Sequence, residues 1–193
     1  MYILIGGKQG SGKRAVSDHL KKLFEDKRVP CWQISMSTPV HDMQRGTHIL
    51  GTNYNMTAPP DDKPDLDLMN AIRAWGRRKN PQMWVEAVKF RIEQIAHTFR
   101  RRNGFHVILI QDLRHVEDLK GWPSAMSVWL EGDADFRSSQ PGWFADDPFE
   151  KGGQGYLDRD SGFSMILNAT KKPEDCAQDI YNYFEAKLEN VFN

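Results

Sequence analysis

The sequence predicts an α/β protein of three layers, with a mainly parallel sheet covered by helices on both faces. Short apolar runs alternate with amphipathic stretches along the whole chain, which is how strands and helices alternate around a parallel sheet. The first run, Ile3-Leu4-Ile5, passes through a glycine-rich loop directly into a helical pattern. No internal repeat or low-complexity tract interrupts this order.

The first strand is expected over residues 2–5 and its helix over 13–26, with Val16, Leu20 and Leu23 on one face and Lys21, Lys22, Glu25 and Asp26 on the other. Pro30 separates that helix from a second strand over 31–36. Thr38 suits a helix cap and Pro39 a first helical turn, so a short helix is expected over 40–43. Residues 45–65 carry Gly46, Gly51, Asn53, Asn55, Pro59, Pro60 and Pro64 and read as the least structured part, either a flexible cover for a site or a surface connection. Residues 45–80 as a whole form a loop and helix region on the substrate side. The clearest helix runs over 81–102, where Val85, Val88, Ile92, Ile95, Ala96 and Phe99 recur at helical spacing between Asn80-Pro81 and Asn103-Gly104. Strands are expected over 105–110, 126–130 and 163–167, and an amphipathic helix over 175–191 closes the chain. Residues 136–162 have no period and read as a lid-like loop or an idle insertion.

At 193 residues the chain is expected to form one domain, burying about 70% of its unfolded surface. Its 26 Lys and Arg balance 26 Asp and Glu, which speaks against a protein that coats nucleic acid. The charge is uneven: residues 73–102 hold nine Lys/Arg and two Glu, a basic wall for phosphates or a solvated helix face. Cys31 and Cys176 form no metal or disulfide pattern and read as reduced thiols of a cytoplasmic protein. Met1 leads straight into the first strand, so no leader is expected, and no apolar run approaches the roughly 20 residues a membrane span needs.

The chemistry is concentrated in Gly7-Lys8-Gln9-Gly10-Ser11-Gly12-Lys13, a G-x-x-x-x-G-K phosphate-cradling loop between a strand and a helix. Glycines let backbone N–H groups crowd an anion, Lys13 adds a point charge, and the adjoining helix aims its N-terminus at the phosphates. Nucleotide binding is expected at Gly7, Gln9, Gly10, Ser11, Gly12, Lys13, Arg14 and Ala15. The residue after the lysine usually carries the hydroxyl that ligates Mg²⁺; here Arg14 and Ala15 stand next, and neither holds a cation.

Val107-Ile108-Leu109-Ile110-Gln111-Asp112 is an apolar strand ending in an acid that is placed to position Mg²⁺, directly or through water, or else merely caps a turn. Arg114, two residues on, suits phosphate oxygens, with an ion pair to Glu117 or Asp118 as the alternative. Arg77, Arg78 and Trp84 lie around a helix start and could grip a nucleoside phosphate by charge and stacking, although Trp84 also falls near the buried face of its helix. Arg100-Arg101-Arg102 is explained by the helix dipole. Arg137 and Arg159 bracket the lid-like loop, and either could close on transferring phosphates.

Taken in order, these pieces resemble the bacteriophage deoxynucleoside monophosphate kinases, within the P-loop nucleoside monophosphate kinase fold. The resemblance rests on Gly7 to Lys13, Ser37-Thr38-Pro39-Val40-His41-Asp42-Met43, Asn80-Pro81-Gln82-Met83-Trp84-Val85 and Asp112-Leu113-Arg114, with Ile166-Leu167-Asn168 as a weaker fifth. It implies ATP at Gly10, Gly12 and Lys13; with the residue reading above, Mg²⁺ is the expected second cofactor, met by Asp112 through water, and Lys13, Asp112, Arg114 and Arg137 are the expected catalytic residues. A deoxynucleoside monophosphate would sit near Arg77, Arg78, Trp84, Asp112 and Arg114 and leave as the diphosphate. Similar enzymes carry Asp then Thr where this chain has Arg14 and Ala15, and a lysine where it has His41. A catalytically weak or inactive nucleotide-binding regulatory protein of the same fold is the alternative. Nucleotides are the expected partners, without membrane or nucleic acid, and a homodimer is left open.

Overall fold

The computed structural model describes residues 1–53, 65–99, 106–140, 143, 147–152 and 155–192. Their backbone divides into two compact units, Met1–Ser35 with Arg102–Asn193, and Met36–Arg101.

The first unit holds a five-stranded sheet in the order β2-β3-β1-β4-β5, built from β1 (Tyr2–Gly6), β2 (Cys31–Ser35), β3 (Val107–Leu113), β4 (Met126–Glu131) and β5 (Met165–Asn168). Every pairing is parallel, so the α/β class expected from the alternation is the one observed. Ile3, Leu4 and Ile5 are all 0% exposed, as the central strand of a parallel sheet covered on both faces requires. On one face α1 (Lys13–Asp26) lays down Val16, Leu20 and Phe24, and α8 (Pro173–Phe192) lays down Cys176, Ala177, Ile180 and Phe184, in one cluster with Ile3, Ile5, Leu109 and Val128. Phe24 meets Phe184 edge-on at 4.9 Å between ring centres. Burying a side chain of this size contributes roughly 2–3 kcal/mol, so Phe24→Ala is the change that would most weaken this layer.

Helix α1 stops without glycine. Arg28 takes φ 62°, its N–H bonds Glu25 O at 2.8 Å, and Val29 N–H bonds Phe24 O at 2.9 Å, the pair of bonds that usually closes a helix around a left-handed glycine.

The second unit consists of α2 (Thr38–Asn53), α3 (Leu66–Lys79) and α4 (Met83–Phe99). Helix α2 runs well past the short helix expected at 40–43. Gly46 and Gly51 read as breakers, but Val40 and Gln44, one turn apart, are both buried, and packing overrides propensity. Asp65 caps α3 by accepting from Leu68 N–H at 2.9 Å, an N-terminus that the surrounding prolines obscured. Residues 54–64, the proline-rich centre of the segment expected to be loose, lie outside the described residues, as do Arg100-Arg101-Arg102.

Between β4 and β5 the described parts of the lid-like stretch include two short helices, α6 (Ala134–Ser138) and α7 (Pro148–Lys151); 141–142, 144–146 and 153–154 lie outside the described residues. A further short helix, α5 (Val116–Lys120), comes after β3. Among the described residues no helix is long and apolar enough to cross a membrane.

Candidate active site

The glycine-rich loop leaves the C-terminal end of β1 and enters α1 at Gly12. Gly10 and Gly12 have φ of 75° and 74°, left-handed values that explain why glycine is needed there. A Cβ on Gly10 would also collide with the backbone carbonyl of Arg137. The N-cap Gly12 offers no side-chain hydrogen bond, so none of the first amides of α1 is taken up by its cap. Lys13 folds back on the loop: Nζ donates to Gly7 O and Lys8 O, each at 2.6 Å, and to Ser11 Oγ at 3.4 Å. Burial pushes the Lys13 ammonium down to about 8, against the opposing pull of Asp112, while Arg114 adds to the lowering.

Asp112 does not simply end its strand. Ile5 pairs with Gln111 and Gly6 with Leu113, so Asp112 is an extra residue in β3, a bulge that carries φ 60°. Bulges re-aim side chains, and a left-handed φ is tolerated by Asp better than by most residues. Asp112 Oδ1 accepts from Arg114 Nε at 3.1 Å. Arg114 Nη1 donates to both oxygens of Asp147, at 2.9 and 2.8 Å. Burial works to lower the Arg114 pKa, but the two carboxylates outweigh it and hold the guanidinium above its ordinary value. Asp118, one of the two acids offered as an ion-pair partner for Arg114, binds its backbone instead: Oδ2 accepts from Arg114 N–H at 2.9 Å and His115 N–H at 3.0 Å. That carboxylate fixes the turn and leaves the guanidinium to Asp112 and Asp147.

Arg137 lies on α6 with Nε donating to Gly132 O at 2.9 Å and Nη1 paired with Glu150 of α7. Glu150 Oε1 accepts from Gln9 N–H at 2.7 Å, and its backbone carbonyl accepts from Lys8 Nζ at 3.3 Å. A cavity of about 350 Å³ opens beside the loop, lined among others by Lys8, Trp129, Glu131, Arg137 and Arg159. The two arginines that bracket the lid-like stretch thus line one cavity together with a lysine of the phosphate loop.

The remaining predicted residues belong to the second unit. Trp84 is 3% exposed, its Nε1 donates to Arg73 O at 3.1 Å, and its ring packs where a Cβ on Gly76 would otherwise be. It is therefore core, and the stacking role expected from its place in the sequence gives way to the packing alternative. Arg78 is exposed near the end of α3, and Arg77 is half-buried beside it.

The loop fits a phosphate chain, with left-handed glycines, an uncapped helix start and Lys13 at its centre. The donor set for Mg²⁺ is thinner. Arg14 and Ala15 are both exposed, and among the described residues no three His, Cys, Asp or Glu side chains gather around one point. Asp112 offers a single carboxylate, which suits contact through water.

Asp147 and Glu150 escaped the sequence reading, and Asp118, read there only as an ion-pair partner for Arg114, serves its backbone instead. The signal was present as Asp147-Pro148, an N-cap with proline at the first helical position, but a helix of four residues leaves no period to detect.

No known protein family matches the chain by sequence, and no curated protein matches it. Among solved structures it is similar to the APS kinase CysC of Mycobacterium tuberculosis in complex with AMPPNP and APS, at 12% identity over 95% of this chain and 96% of that one, with a TM-score of 0.51. It is also similar to shikimate kinase from Aquifex aeolicus, at 15% identity over 97% and 98% of the chains, with a TM-score of 0.50. TT1252 from Thermus thermophilus aligns at 13% identity over 96% and 97%, with a TM-score of 0.51. At these identities the likeness concerns the fold: the chain has a P-loop kinase-like α/β fold.

Proposed function

We propose that the protein transfers the γ-phosphoryl group of ATP to a nucleoside monophosphate, a deoxynucleotide by its sequence resemblance, and releases the diphosphate. One observation carries this reading. The Lys13 loop at the end of β1 is flanked on the neighbouring strand by a bulged Asp112 and by Arg114 just beyond it, so a phosphate cradle, an acid and a guanidinium converge. One of the structures of similar fold is a kinase solved with an ATP analogue and its acceptor, which agrees with this reading.

Phosphoryl transfer asks a protein for alignment and charge neutralisation more than for covalent chemistry. An oxygen of the acceptor phosphate forms the new P–O bond as the bond from the γ-phosphorus to the β–γ bridging oxygen breaks, and ADP departs. Lys13 and the loop amides take the β- and γ-phosphates. Arg114, held by two carboxylates, presents its remaining N–H groups to the acceptor phosphate, and Arg137 offsets charge on the transferring group. Mg²⁺, when bound, supplies charge neutralisation between the phosphates, and Asp112 is the side chain suited to hold its water.

Arg14 and Ala15 favour a second reading, a nucleotide binder with little turnover. Purified protein incubated with ATP, Mg²⁺ and each nucleoside and deoxynucleoside monophosphate decides between them, with diphosphate formation measured beside Lys13→Ala. Product that is lost in the variant supports the kinase. ATP binding without product overturns it in favour of the binder.

A further inference from the structure

Among the described residues between α6 and β5, helix α7 is tied to the rest of the first unit at both of its acids. At its N-cap Asp147, 8% exposed, accepts from Phe149 N–H at 3.0 Å and pairs through both oxygens with Arg114. One turn later the Glu150 side chain, 7% exposed, pairs with Arg137 and accepts the Gln9 amide of the phosphate loop. Phe149 between them packs inward with its ring 5.7 Å from the Arg114 guanidinium carbon. Two acids three residues apart therefore hold two arginines that approach the loop from different strands' ends. A buried carboxylate is costly unless paired, and each of these two is paired with an arginine.

We infer that Asp147 and Glu150 are positioning residues: through them α7 sets the orientation of Arg114 and Arg137 toward the phosphates. This rests on the phosphotransfer reading above. The carboxylates act through the arginines and need no contact with substrate. A guanidinium fixed at Nε and one Nη by Gly132 and Glu150 keeps its other N–H groups in a defined direction, so less side-chain freedom remains to be lost when phosphate binds.

The test is a double-mutant cycle on ATP affinity, measured by titration calorimetry, with turnover as a second readout. Glu150→Gln keeps an oxygen for the Gln9 amide but removes the charge that holds Arg137. Arg137→Ala is expected to weaken ATP about tenfold, Glu150→Gln about fivefold, and the double variant no more than Arg137→Ala alone. Multiplying effects in the double variant would make Glu150 a loop support that acts independently of Arg137, and would overturn the inference. Tighter ATP binding by Glu150→Gln would overturn it too, by making the carboxylate a competitor of the phosphates. If Glu150→Gln does not fold, Glu150→Asp takes its place. It keeps the charge but is one methylene shorter toward Arg137, so it must weaken ATP in the wild type and add nothing to Arg137→Ala. Wild-type protein that binds ATP but forms no diphosphate would remove the kinase reading, while the affinity cycle still decides the role of Glu150.

Discussion

Arg114 grips Asp147 through a single nitrogen shared by both carboxylate oxygens, at 2.9 and 2.8 Å, while its Nε reaches Asp112 at 3.1 Å. The Arg114 and Asp147 side chains are only 19% and 11% exposed, so this pair is screened far less than a surface ion pair. Removing the cation takes the shared partner from two carboxylates that are only 25% and 11% exposed. Arg114→Ala is expected to cost about 3 kcal/mol of stability, and adding Asp147→Asn should restore part of it. Urea unfolding of the single and double variants checks this, and equal stability of the two would contradict it.

Asp112 separates the backbone's demand from the chemistry's. Its φ of 60° suits glycine, but Asp112→Gly also strips a carboxylate from the part-buried Arg114, so it is expected to destabilise by about 1–2 kcal/mol while losing transfer activity. Asp112→Asn keeps an oxygen for Arg114 Nε, so it should destabilise less and still lower turnover. A β-branched residue such as valine, strained at this φ as well as unable to pair, should destabilise most. Melting curves beside activity assays separate the three.

The buried ammonium of Lys13 gives the protein a pH signature. Its pKa is near 8 in the folded chain against an ordinary 10.5, so between those values the unfolded chain binds more protons. Stability contributed by this group therefore rises with pH through that window. Affinity for nucleotide moves the other way, falling as pH passes through 8 and the charge is lost. ATP dissociation constants measured from pH 7 to 9.5 should climb in the wild type and stay level in Lys13→Ala.

Arg28 occupies a position that glycine usually fills. Because its φ of 62° is left-handed and its side chain is exposed, Arg28→Gly is expected to stabilise the protein by about 0.5–1 kcal/mol. A rise in the denaturant midpoint with an unchanged slope would bear this out. A fall would mean that the arginine makes a contact worth more than the backbone strain.

Much of this was legible in the residues alone. Helix α1 begins and ends where its apolar spacing says, because Val16 and Leu20 must face a sheet whatever else the chain does; the third core position is Phe24, while Leu23, expected on that face, is only partly buried against it. The glycine-rich loop between β1 and α1 was legible from its glycines just ahead of a lysine, two of which take left-handed φ, and β3 because a run such as Val107 to Ile110 has no stable place except a sheet interior. Those signals are local, set by side-chain period and backbone freedom.

Tertiary structure decided the rest. The β2-β3-β1-β4-β5 order turned Asp112 from a strand end into a bulge, since only its register against Gly6 reveals the extra residue. Packing against Gly76 turned Trp84 from a candidate for stacking into core. Burial made partners of Asp147 and Arg114, and of Glu150 and Arg137, at separations of 33 and 13 residues. Sequence period cannot foresee such pairs, because the energy that selects them comes from carboxylates and guanidinium groups losing water together, which happens only once the chain has folded.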